Sequence, residues 1–325
     1  MLRVAVIGTG HLGKIHTKLW AYNPNVQLVG VYDTNDLTKR EVANNFNCKP
    51  FDSLEEALNY SDAVTIAVPT SLHYEVAMQC INKGIHCLIE KPITSTSKEA
   101  LELIAAARNK NVLLQVGHVE RFNPALAALK GYQLNPMFIE AHRLAQFKPR
   151  AIDVSVILDL MIHDIDIVLS LIKSPVEKIE ANGVAVLTEN QDICNARLQF
   201  KNGAVANLTA SRISAHPMRK MRIFQQNAYI SIDFASQNVE IFKMVDINEH
   251  SDKAVPATML GTIEAGLKDK KIMYEKPEIP EINAIEQEQI AFINAIENNI
   301  PIAVSAEEAT EALRIAEMII DKISK

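Results

Sequence analysis

Several common signatures are missing from this chain, and each absence narrows the field. Four cysteines, Cys48, Cys80, Cys87 and Cys194, are scattered through 325 residues with no CxxC pair and no ligand-like spacing. A disulfide framework and a zinc module are therefore not indicated, and reduced thiols in a cytoplasmic protein are expected. No uncharged run approaches the roughly 18 residues needed to span a bilayer. The opening MLRVAVIG meets a glycine turn too soon to be the apolar part of a signal peptide. Basic residues are not in excess: the formal net charge is −6. That balance offers no general attraction to a phosphate backbone, so nucleic acid and membrane surfaces are not expected partners. There is no internal repeat and no low-complexity tract.

What remains is a globular chain long enough for two domains, with 48% hydrophobic and 22% charged residues. Its first 120 residues alternate short apolar runs with helix-like segments. The runs are 3–8, 26–33, 62–69, 86–92 and 112–118; helices are expected over 71–84 and 97–110. Continuous apolar strands imply burial on both faces, hence a parallel sheet covered by helices. The expectation is an α/β protein with a doubly wound N-terminal domain over 1–120. Beyond ERFNP (120–124) the pattern changes. A helix is expected over 153–172, then strands at 183–187, 196–200, 204–211, 228–234 and 238–244, and helix again from 281 to 323. Short turns between strands predict a C-terminal α+β domain, 121–325, on a large, mostly antiparallel open sheet. Residues 246–270 are polar and weakly patterned, an excursion from that sheet.

Three local patterns carry chemistry. Gly8, Gly10 and Gly13 have G-x-G-x-x-G spacing between an expected strand and an expected helix. The first glycine permits the tight turn, the second lets backbone N–H groups approach a pyrophosphate, and the third lets helix and strand pack closely. Asp33 stands 20 residues beyond Gly13, at the end of the next strand. A carboxylate there accepts from ribose hydroxyls and repels a 2′-phosphate, which favours NAD, while Lys39 and Arg40 keep NADP open.

The second pattern is IEKP, Ile89 to Pro92, at a strand end that faces the ligand crevice of such a sheet. By itself it reads equally as a solvated lysine. The third is LDLMIHDIDIVLSL, 158–171, in which carboxylates interrupt an apolar run. Burying them is costly unless they are paired or hydrogen-bonded. On a helix, Asp159, His163 and Asp166 fall within about 60° of one another, with Ser155 and Ser170 on the same stripe. A histidine one turn from a carboxylate is oriented for proton transfer; a narrow wet face is the plainer reading. A metal has no further clustered ligand here, and none is expected.

Together these residues resemble the Gfo/Idh/MocA family of nicotinamide-dependent sugar oxidoreductases. The resemblance rests on the glycine fingerprint, on Glu90-Lys91-Pro92, on Asp159-x-x-x-His163-x-x-Asp166, and on the closing segment from EQEQIAFINAIENN. It implies oxidation of a sugar hydroxyl, in which hydride passes from the carbon bearing it to nicotinamide. Lys91 would hold the hydroxyl, His163 would be the general base, and Asp159 would bind substrate and orient the site, in a cleft between the domains. It extends the cofactor contacts to His11, Leu12, Pro69, His73, Glu90 and Lys91. Substrate contacts would be Arg121, Asn123, Arg143, Asp159 and His163.

There are departures, with Met161 where the family often has glycine and Val119 where asparagine is frequent. EAHRLAQFKPRAIDVSVILDLMIHDID is similar to members that oxidise the 3-hydroxyl of UDP-N-acetylglucosamine. A diphosphate needs cationic groups, for which Arg121, Arg143, Arg212 and Arg219 are candidates. Another sugar or polyol substrate, a glycoside hydrolase with tightly held NAD, and a non-catalytic dinucleotide-binding regulator are the alternatives. A homodimer or homotetramer is the implied assembly.

Overall fold

A computed structural model describes residues 1–148, 154–246, 257–265 and 268–324. The chain divides into two compact units: Met1–Arg121 with Asn283–Arg314, and Phe122–Ile282 with Ile315–Lys325. The first break lies beside the expected one. Residues 283–314, which a single boundary at 120 assigns to the second domain, belong to the first unit.

In unit 1, strands and helices alternate: β1 (Leu2–Ile7), α1 (His11–Tyr22), β2 (Val26–Tyr32), α2 (Asp36–Asn45), β3 (Lys49–Pro50), α3 (Leu54–Asn59), β4 (Ala63–Ile66), α4 (His73–Asn82), β5 (His86–Glu90), α5 (Ser97–Lys110) and β6 (Leu114–Gly117). Among the described residues they form a six-stranded parallel sheet in the order β3-β2-β1-β4-β5-β6. This is the Rossmann order, in which the chain reverses direction beside β1 and leaves a crevice at the strands' carboxyl ends. Burial explains the unbroken apolar runs: all four residues of β4, and Val4 to Ile7 of β1, are inaccessible to water. Trp20 is buried on the sheet, its indole N–H donating to the Thr65 hydroxyl at 2.9 Å. α5 opens with a reciprocal Thr96/Glu99 capping box and ends on Asn111 in the left-handed region, with φ of 53°. Only β3, two residues long, lacked an apolar run to announce it.

Unit 2 begins with a single turn, α6 (Pro124–Ala127), and β7 (Phe138–Leu144). A π-helical turn over Ile157–Met161 runs into α7 (Ile162–Leu171). There follow β8 (Val176–Val184), β9 (Ile193–Phe200), β10 (Val205–Ser211), β11 (Met218–Gln225), β12 (Ala228–Asp233), β13 (Asn238–Asp246), β14 (Ala257–Ala265) and β15 (Lys268–Glu275). Among the described residues these make a nine-stranded sheet in the order β14-β15-β13-β12-β11-β7-β10-β9-β8. Its pairs are antiparallel except β7 with β10. α7 lies against β7 and β10. Alternation sets the two faces: Cys194, Ala196, Leu198 and Phe200 of β9 are buried, and the residues between them reach outward. On the other face Phe138, Phe224, Tyr229, Phe242 and Tyr274 form a continuous row across five strands, with ring centroids 5.0–5.8 Å apart.

The strands differ from expectation in three places. The strand expected at 183–187 ends at Val184, because the Asp192 carboxylate captures the N–H groups of Val186, Leu187 and Thr188. Donors bound to a side chain cannot extend a ladder. β11 was hidden by its charge: MRKMRIFQ carries three basic residues, Lys220 and Arg222 of them on its wet face, with Met221 and Ile223 buried on the other. The polar stretch 246–270 contains β14 and the first three residues of β15, both in the sheet. Residue 153 of the expected helix, and 247–256 and 266–267 of the excursion, lie outside the described residues.

The chain then forms α8 (Ala284–Asn298) and α9 (Ala306–Ile323). Phe292 and Ile293 of α8 enter the unit 1 core with Val4, Val6, Trp20 and Leu88. No helix among the described residues is long and apolar enough to cross a membrane.

Candidate active site

The nucleotide end belongs to unit 1. Gly8 has φ of +95°, and a Cβ there would stand 2.6 Å from the Ala67 carbonyl oxygen. On Gly13 a Cβ would fall 1.9 Å from the Gly8 oxygen, so neither position admits a side chain. Gly10 is different, with nothing within 4 Å of its Cβ position. It also begins α1 without any side-chain cap. The first N–H groups of a helix need an acceptor, and here backbone, open space and helix dipole coincide as an anion site. His11 and Leu12 are exposed on that first turn. These features fit a dinucleotide's diphosphate.

Asp33 is half-buried. Its Oδ2 accepts from the Thr9 backbone N–H at 2.6 Å and the Thr9 hydroxyl at 2.9 Å, and its Oδ1 accepts from the Asn35 N–H at 2.8 Å. The carboxylate is thus fixed against the glycine turn. Lys39 and Arg40 converge on Asp36, at 3.1 and 2.7 Å. Thr9 is buried and gave no sequence signal; a threonine between two glycines is unremarkable until Asp33 is placed beside it.

Glu90 ends β5 and Lys91 and Pro92 follow it, all three partly buried, and Pro69 is exposed at the neighbouring loop. Glu90 Oε1 is 2.8 Å from His16 Nε2, and the other face of that ring meets Gln289. Nearby, burial and then the charge of Glu90 push the Glu288 carboxyl well above its usual range. His73 is 1% exposed, with Nδ1 2.8 Å from the Pro92 oxygen and Nε2 3.0 Å from the Val68 oxygen. Burial lowers its pKa, against the opposing pull of those carbonyls and of Glu90. His16, Gln289 and Glu288 escaped sequence reading because partners 273 residues apart share no local pattern.

Unit 2 holds the other expected group. Asp159 lies on the π-helical turn and His163 at the start of α7, both half-buried. Asp166, from the same stripe, is 1% exposed. Asp164 is also buried and pairs with Arg143, whose Nε and Nη2 reach its two oxygens at 3.0 and 2.9 Å. This bidentate pair answers part of the puzzle of 158–171: one carboxylate is neutralised within the unit. A cavity of about 250 Å³ is lined by Asp159, Leu160, Gln146, Lys148 and Arg212, among others.

The remaining candidates are differently placed. Arg212 is buried and donates to the Val154 carbonyl; Arg219 is exposed. Arg121, in unit 1, is 3.6 Å from Glu308. Asn123 caps α6 through the Ala125 N–H. Among the described residues no cluster of three or more His, Cys, Asp or Glu is gathered as a metal ion requires. The four cysteines are free thiols.

Comparison with known proteins agrees with this architecture. Residues 2–118 match the model described as "Oxidoreductase family, NAD-binding Rossmann fold", and residues 134–231 match the Gfo/Idh/MocA C-terminal domain. The chain belongs to the Gfo/Idh/MocA oxidoreductase family. It is 43% identical over 242 residues to UDP-N-acetylglucosamine 3-dehydrogenase of Acidithiobacillus ferrooxidans, covering 74% of this chain and 77% of that protein. A solved structure of that enzyme superposes with a TM-score of 0.87 at 36% identity, covering 99% of this chain and 97% of the other. A scyllo-inositol 2-dehydrogenase (NAD(+)) of Bacillus subtilis is 28% identical over 236 residues, 66% of this chain and 68% of that protein.

Proposed function

We propose that the chain is an NAD-dependent dehydrogenase that oxidises a sugar hydroxyl, the 3-hydroxyl of a UDP-N-acetylhexosamine. The observation that carries this is Asp159 in the wall of a cavity that Lys148 and Arg212 also line, one turn from His163, in a chain similar over most of its length to a UDP-N-acetylglucosamine 3-dehydrogenase.

Gly8, Gly10, His11, Leu12, Gly13, Asp33, Pro69 and Lys91 would hold the dinucleotide. Bound, the nicotinamide supplies an acceptor for hydride. Everything else falls to side chains. His163 takes the hydroxyl proton as general base, a role imidazole fills near neutral pH. The Lys91 ammonium stabilises the alkoxide as it forms. Asp159 accepts from substrate hydroxyls and orients the ring. Asp33, held by Thr9, favours NAD because a 2′-phosphate would meet its charge. The opposed cations, Lys39 and Arg40, are already taken by Asp36. The aromatic row on the nine-stranded sheet supports a homo-oligomer, since such apolar surface is usually covered.

The test is calorimetry of the NAD-loaded protein with UDP-N-acetylglucosamine, UDP and a panel of free sugars, alongside NADH absorbance. Binding of the nucleotide sugar and of UDP is expected, with NADH forming when product is trapped. Binding of inositol or glucose without any UDP compound would move the substrate to a free sugar or polyol. Tight NAD binding with no oxidation of any sugar would leave a regulator.

A further inference from the structure

Each chain neighbour of Lys91 is held by a buried imidazole from elsewhere in unit 1. We propose that His16, through the Glu90 carboxylate, and His73, through the Pro92 carbonyl, are positioning residues that fix the chain on both sides of Lys91. The inference rests on the role of Lys91 proposed above.

The hydrogen positions at His16 follow from its partners. Gln289 Nε2 lies 3.2 Å from the His16 carbonyl oxygen and 3.0 Å from Nδ1. A carbonyl only accepts, so the amide nitrogen faces it, and the second amide hydrogen goes to Nδ1. A ring that accepts at Nδ1 carries its hydrogen on Nε2, which donates to Glu90 Oε1 at 2.8 Å. The ring is fully buried, so no water competes. Glu90 is confined from its other side as well. A Cβ on Gly117 would stand 3.1 Å from Glu90 Oε2, so the carboxylate lies where a side chain on β6 would be.

His73 acts at the other neighbour. Its two nitrogens face two oxygens that only accept, Pro92 at 2.8 Å and Val68 at 3.0 Å. A neutral ring can donate to one of them, and its hydrogen is assigned to Nδ1, at the shorter contact. Glu90 and Pro92 are then tied to two different helices, α1 and α4, one for each chain neighbour of Lys91. An ammonium meant for one alkoxide oxygen gains from such anchoring, since a displacement of about 1 Å can cost on the order of a hundredfold in rate.

The test exploits the different reach of two amides. An asparagine nitrogen can stand for histidine Nδ1, and a glutamine nitrogen for Nε2. His16→Gln and His73→Asn should therefore keep the bonds to Glu90 and Pro92, whereas His16→Asn and His73→Gln should lose them. Measured with UDP-N-acetylglucosamine, the first two should stay within about threefold of wild-type kcat. The second two should fall about tenfold or more with the KM for NAD little changed. Equal loss within each pair, or no loss in any, overturns the proposal, because general damage to the core cannot produce crossed rescue.

Should the histidine variants fail to fold, Gln289→Leu and Gly117→Ala disturb Glu90 from its other contacts, and unchanged kcat in both overturns the proposal. A second readout needs no turnover: the rate of amine modification at Lys91, followed by mass spectrometry. It should change in His16→Asn and His73→Gln and not in their counterparts; identical rates in all four overturn the proposal. If Lys91→Ala keeps full activity while the modification rates split as described, the role of Lys91 fails and the positioning stands.

Discussion

The Asp33 carboxylate accepts two hydrogen bonds from Thr9, one from its N–H and one from its hydroxyl. One residue of the glycine turn thus fixes the acid at the end of β2. Asp33→Ala should weaken NAD binding and narrow the gap to NADP, by removing both the ribose acceptor and the repulsion of a 2′-phosphate. Thr9→Val, which removes one of the two bonds, should lower NAD affinity by less, about 1 kcal/mol. Fluorescence titration with both nucleotides measures each change; tighter binding of NADP than NAD by the wild type would sink the reading of Asp33.

Asp36 holds Lys39 and Arg40 at once. Both Asp36 and Arg40 are more than half exposed, so that pair is weak and its removal should leave stability nearly unchanged; the Lys39 side chain is buried and depends more on its partner. Asp36→Ala should release Arg40 and raise the affinity for NADP more than that for NAD. The same titration checks it, and an unaltered ratio argues against any part for these cations in nucleotide choice.

Lys91 and His163 should be needed for turnover far more than for NAD binding. His163→Ala should lower kcat by roughly 10²–10⁴-fold, the range for loss of a general base. Lys91→Ala should also be severe, through loss of a fixed charge beside the alkoxide. Steady-state kinetics beside calorimetry with NAD separates these effects from a binding loss. Near-normal turnover in His163→Ala would return 158–171 to a helix with a narrow wet face.

Arg143 and Asp164 form a buried bidentate pair, each side chain 6% exposed. Arg143→Met should destabilise unit 2 by about 3–5 kcal/mol, because it strands a buried carboxylate. Adding Asp164→Leu should recover most of that loss. Denaturant melts of the single and double variants decide it; a small loss in the single variant, with weaker substrate binding, would assign Arg143 to the substrate instead.

Asp192 gives acid sensitivity. Burial raises its pKa, but the N–H groups of Leu187, Thr188 and Val186 and the Thr188 hydroxyl outweigh burial and lower it from the usual 3.8 to about 2. A pKa lower in the folded state stabilises the fold above the ordinary value, and the gain fades as pH falls from 3.8 toward 2. Asp192→Asn should therefore lower the melting temperature clearly at pH 7, with the gap to wild type closing in that acid window. A gap independent of pH would contradict the assignment.

What the amino-acid sequence determined was everything set by short spacing. Strand, glycine turn and helix at 2–22, the acid ending β2, the lysine after β5 and the Asp159/His163 pair were all visible as local patterns. Periodicity and steric demand act within a few residues, so they leave marks in a linear sequence. The tertiary structure alone decided which polar groups face one another. Asp33 with Thr9, Arg143 with Asp164, and His16 with Glu90 and Gln289 join residues 21 to 273 positions apart. It also stopped β8 at Val184, where Asp192 takes the donors, and returned residues 283–314 to the first unit. A hydrogen bond between distant segments has no period; it exists once the backbone has brought donor and acceptor together in a place that water cannot reach.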